Sequence, residues 1–89
     1  MAREELKSFI AEANEEMFFI DGFHDAIIGY VEKGATDTVA LYDKVKCIHI
    51  LMDQGMTEDE AVDFFYYNVL GTSHRNMPAF ATFVSEGDI

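Results

Sequence analysis

Asp21, His24 and Asp25 stand at i, i+3 and i+4. On a helix that spacing puts all three on one face. An imidazole with two carboxylates is a suitable donor set for a divalent metal, and so for a small metal-dependent enzyme. Gly22 falls inside the set and favours a turn, which would leave the three as solvated loop residues. The remaining chemistry-bearing residues are more scattered. His49 precedes Asp53 by four positions, the spacing of a helical side-chain pair. His74 stands beside Arg75. Cys47 is the single cysteine, set between Val45 and Ile48, and reads as a small buried apolar residue. It leaves no partner for an intrachain disulfide and no cysteine-based zinc site. The glycines occur singly, so no phosphate-cradling loop is present. No serine, histidine and acid combine into a recognisable nucleophile set. The expectation is a protein that is not an enzyme and has no cofactor.

The elements that hold these residues come from a chain of 89 residues with 17 acidic and 6 basic side chains, a formal charge of −11. Hydrophobic residues make up 49%, too many for disorder even at this charge. The length suits one domain, residues 1–89, which buries roughly 60% of its unfolded-chain surface and has room for one core. Direct nucleic-acid binding is not expected, because phosphate neutralisation needs clustered Lys and Arg. Here Arg3, Lys7, Lys33, Lys44, Lys46 and Arg75 are dispersed. The same charge opposes anionic membrane surfaces, and no apolar run approaches bilayer-spanning length. A cytoplasmic location is the expectation, or the host cytoplasm for a phage-encoded chain.

Periodicity predicts a helix over Glu4–Met17, with Leu6, Phe9, Ile10, Ala13 and Met17 on one face. This N-terminal segment, 1–20, reads as an extension to an α+β core over 26–84. A strand is predicted over Ala26–Glu32. Both of its faces are apolar, which suggests a central position, and Gly29 fits either a bulge or the close approach of another backbone. A loop over 33–37 leads to a second strand, Thr38–Tyr42. Asp43 is placed to cap a helix over Lys44–Gln54, which Gly55 stops. Thr57 and Glu60 have capping-box spacing and open a third helix, Glu58 to Leu70, stopped at Gly71. Its core face is read as Ala61, Phe64, Phe65, Asn68 and Val69. The Asn68 amide is expected to cap a neighbouring loop, with a ligand contact as the alternative. A third strand is predicted over Ala79–Val84. The resulting fold class is α+β in the order α-β-β-α-α-β, a three-stranded antiparallel sheet carrying two to three packed helices.

The stretch YDKVKCIHILMDQGMTEDEAVDFFYYNVLG, followed after a loop by PAF, resembles a group of small uncharacterised proteins of tailed bacteriophages and bacteria. The matching positions include Tyr42, Asp43, Lys46, Cys47, Ile48, Leu51, Met52, Gly55, Met56, Glu60, Ala61, Phe65, Asn68, Val69, Gly71, Pro78 and Phe80. The resemblance covers about residues 26–80. The N-terminal helix and the glycine-poor loop GTSHRNMP depart from it. The matching residues are mostly caps, turns and core positions, so the resemblance implies a phage or bacterial small protein and carries no chemistry.

Aromatic content is the more informative signal. Eight Phe and four Tyr make up 13% of the chain. The run Phe64, Phe65, Tyr66, Tyr67 covers every face of a helix, and Phe18, Phe19, Ile20 repeats the pattern on a smaller scale. Such a helix needs cover on more than one side, and a second subunit would supply it. The expectation is a homodimer acting through protein–protein contacts, with Phe18, Phe19, Tyr66 and Tyr67 at the interface and a host protein as a further partner. The alternative places Glu4, Glu5, Glu12, Glu15 and Glu16 on a surface that mimics nucleic acid and inhibits a host enzyme.

Overall fold

A computed structural model describes residues 3–32, 38–70 and 76–88, with the side chains of Arg3, Glu4 and Asp88 excepted. The predicted loop over 33–37, the stop at Gly71, and His74 and Arg75 lie outside the described residues. The elements are α1 (Arg3–Ala11), a 3-10 turn (His24–Ala26), β1 (Ile27–Glu32), β2 (Thr38–Asp43), α2 (Lys44–Asp53), α3 (Glu58–Phe64), a π-helical continuation (Phe65–Leu70), β3 (Ala79–Ala81) and a 3-10 turn (Glu86–Asp88). The fold is α+β in the predicted order.

The sheet is mixed rather than purely antiparallel. β1 and β2 form the expected antiparallel hairpin pair. β3 runs parallel to β2, with Leu41 opposite Ala79, Tyr42 opposite Phe80 and Asp43 opposite Ala81. The reason is the connection: α2 and α3 both intervene, and a helical crossover returns the chain at the end from which a parallel strand starts. The strand order β1-β2-β3 makes β2 central and β1 an edge. The prediction of a central β1 is thereby corrected. Ile28 and Tyr30 are exposed: Ile28 is the extra residue where the register slips between Ile27 and Gly29, and Tyr30 follows it by alternation on the same outward face.

α1 ends at Ala11, well short of the predicted Met17. Asn14 competes for the backbone: its Oδ1 accepts from Glu16 N at 3.0 Å and its Nδ2 donates to Thr38 O at 2.8 Å. An Asn side chain that supplies such bonds offers the chain an alternative to the helix. The N-terminal region is nonetheless packed into the domain, since Ile10 of α1 and Met17 and Phe23 beyond it belong to the main core with Ile27, Tyr42, Leu51 and Phe65. β3 stops at Ala81, and Phe83 and Val84 beyond it are exposed.

Caps account for the helix starts. Asp43 accepts from Lys46 N at 3.3 Å at the head of α2. Gly55, at φ +107°, carries the chain out of α2 through backbone that only glycine enters without strain.

Tyr42 joins the layers. It is fully buried, its hydroxyl accepts from Ile20 N at 2.9 Å, and its ring lies 5.7 Å from that of Phe80. Phe80 in turn meets Phe65 edge-on at 5.0 Å. Burial pushes the Tyr42 phenol above its ordinary value, against the opposing effect of the Ile20 bond. Tyr42→Phe keeps the ring but strands the Ile20 N–H. A loss of about 1–2 kcal/mol is expected, read as a drop in the thermal midpoint of several degrees.

Candidate functional site

α3 is set by Thr57. Its hydroxyl accepts from Glu60 N at 3.2 Å, and the Glu60 carboxylate accepts from Thr57 N at 2.9 Å. This reciprocal cap satisfies two N–H groups that the helix itself cannot. Ala61, Phe65 and Val69 are the buried residues that follow. They recur every four positions. An α-helix of 3.6 residues per turn lets such a column drift around the axis. The π-helical turns at Phe65–Leu70 are wider and hold Phe65 and Val69 toward the core.

The consequence falls on the other columns. Phe64 and Asn68, predicted on the core face, are exposed. Asn68 therefore does not enter the core, and residues 71–75 of the loop it is expected to cap lie outside those described. It lines an open groove of about 400 Å³ together with Met56, Glu60, Asp63, Phe64 and Tyr67. Positions 60, 63, 64, 67 and 68 form one stripe at i, i+3, i+4, i+7 and i+8. A second groove of about 230 Å³ lies between α2 and α3, lined by Val45, Ile48, His49, Met52, Glu58 and Val62. The stripe is legible in the sequence, but the prediction assigned Phe64 and Asn68 to the competing inner stripe.

The four residues expected at an interface occupy different settings. Tyr67 is 83% exposed and Tyr66 43%, with Phe64 at 37% and Leu70 at 42% beside them. Tyr66 is anchored from α2: Lys44 donates to its hydroxyl, and the same ammonium lies 4.8 Å from its ring centroid. Phe18 is exposed, and its N–H donates to Asn76 O at 3.1 Å. Phe19 is half-buried against the core and carries Lys7 5.1 Å from its ring centroid.

The three candidate metal ligands do not converge. Asp21 and Asp25 are exposed and His24 opens the 3-10 turn. The turn at Gly22, φ +88°, breaks the helical face on which the three would have converged. The Lys7 ammonium lies 3.4 Å from His24 Nε2, where it competes with a metal for that nitrogen. Among the described residues, no three His, Cys, Asp or Glu side chains group around a metal position. Glu5, Glu12, Glu15 and Glu16 are exposed, and the side chain of Glu4 lies outside those described. No helix among the described residues is long and apolar enough to cross a membrane.

No family model, curated protein or solved structure matches the chain. The functional reading rests on the geometry.

Two titrations test this arrangement. Burial pushes the Cys47 thiol up to about 12, so at neutral pH it is almost wholly protonated and a poor nucleophile. Native protein is expected to leave iodoacetamide unreacted over hours and to be alkylated promptly in guanidinium; a fast native reaction would contradict the burial. Thr57 holds the Glu60 carboxyl below its ordinary range, through its backbone N–H and its hydroxyl. Glu60 binds its proton more weakly folded than unfolded. Its contribution to stability is therefore full above the unfolded value and is lost as pH falls through the folded one. Wild type and Glu60→Gln should accordingly differ most at neutral pH and converge in acid, measured by urea unfolding across that range.

Proposed function

We propose that this chain is a non-enzymatic protein–protein interaction module, and that its first partner is a second copy of itself. One observation carries the reading. Phe64, Tyr66, Tyr67 and Leu70, four large apolar or aromatic side chains within two helical turns, are exposed although the core column of that helix is already filled. Exposed apolar clusters of this kind mark interaction surfaces, and aromatic residues are enriched there. Tyr66 and Leu70 share the i, i+4 column of Val62, which lines the α2–α3 groove. That column gives a homodimer a continuous apolar seam, with Tyr67 at its rim and Phe18 as a second contact. Two-fold dimers are the commonest assembly for such a surface.

The non-enzymatic part of the reading is supported by how the reactive groups are used. The Cys47 thiol is buried, the Tyr42 hydroxyl is bonded to the backbone and His24 is covered by Lys7. A cytoplasmic setting belongs to the same proposal, since a single cysteine draws nothing from an oxidising compartment.

Light scattering on a sizing column is expected to return the dimer mass at low and at high salt, because an apolar seam is not screened and salt relieves repulsion between the two acidic copies. Leu70→Asp places a charge in the seam and should give the monomer. Wild type running as a monomer at both salts would defeat the self-association.

A further inference from the structure

The groove beside that seam has a chemistry of its own. Along its stripe the carboxylates of Glu60 and Asp63 come first, then the rings of Phe64 and Tyr67, and last the Asn68 carboxamide, with Met56 at the head. We propose that this groove binds a Lys or Arg side chain presented by a basic segment of a different protein. The proposal rests on the interaction-module reading above, but not on self-association.

Three arguments converge on a cation. A purely apolar ligand would desolvate both carboxylates without compensation, and an anion would be repelled. A Lys or Arg side chain meets both demands, laying its methylene stem on Phe64 and Met56 while its charge sits by the carboxylates and the Tyr67 ring. Second, the fold already uses this contact twice. Lys7 lies 5.1 Å from the ring centroid of Phe19, and Lys44 lies 4.8 Å from that of Tyr66. Among the described residues no cation stands over Phe64 or Tyr67. Third, Glu60 is kept ionised by its bonds to Thr57, so the amino end of the groove stays anionic.

A second copy is a poor occupant. Each copy carries −11, so two copies repel, and of its six basic residues Lys7 and Lys44 are already engaged on their own rings. A basic partner complements both the groove and the net charge, which also speeds its approach.

The test is fluorescence anisotropy with an end-blocked, fluorescein-labelled peptide of alternating lysine and glycine, against a glutamate–glycine control. Wild type is expected to bind the lysine peptide alone. Asp63→Asn and Tyr67→Ala should each weaken binding about five- to tenfold, and Tyr67→Phe should retain it. Glu16→Gln, the same change of charge outside the groove, should change affinity by less than about twofold. Equal losses in Asp63→Asn and Glu16→Gln would reduce the binding to general attraction and overturn the proposal. So would unimpaired binding by Tyr67→Ala, or a wild type that ignores the lysine peptide. Molar mass on the same samples separates the two readings. Leu70→Asp that is monomeric and still binds peptide supports the groove independently of the seam. Tyr67→Ala that loses only the dimer assigns the groove to self-contact and overturns the proposal.

Discussion

The fold depends on the burial of Tyr42. This residue sits in the central strand and faces Ile27 on one side and Phe80 on the other. Its hydroxyl is satisfied by the backbone at Ile20, so a polar atom is placed inside the core without stranding it. The next residue, Asp43, caps α2. One position thus ties the strand pairing, the segment after α1 and the start of the helical pair. Through Phe80 the same contact reaches Phe65 and thereby fixes how α3 lies on the sheet.

The lie of α3 decides which residues face outward. The core takes Ala61, Phe65 and Val69, a spacing that a regular α-helix follows only by rotating. The π-helical segment absorbs that rotation. Its cost is that a run of four aromatic residues cannot all be buried. Phe65 goes inside, Tyr66 turns to Lys44, and Phe64 and Tyr67 flank a groove whose head is acidic. The exposure of these aromatic side chains is therefore a by-product of core register.

The N-terminal region is held by polar pinning as well as by the burial of Ile10, Met17 and Phe23. Asn14 Nδ2 reaches both Thr38 O and, at 3.3 Å, Asn76 Oδ1, while Asn76 O accepts from Phe18 N. Asn76 is buried, so these bonds join the segment after α1, the start of β2 and the approach to β3 at one point in low dielectric, where each counts for more than it would in water.

The order of elements, the caps at Asp43 and Thr57, the stop at Gly55 and the burial of Cys47 were all determined by the sequence alone. Each is a local matter of backbone freedom, a side chain bonding its own helix end, or apolar periodicity. The direction of β3, the edge position of β1, the early end of α1 and the outward turn of Asn68 were decided only by the tertiary structure. Alternation reads the same in parallel and antiparallel strands. An asparagine that ends a helix does so by finding Thr38, which lies far along the chain. Phe64 and Phe65 compete for the same core face until one of them meets Phe80. In each case the deciding contact is long-range, and spacing along the chain carries no record of it.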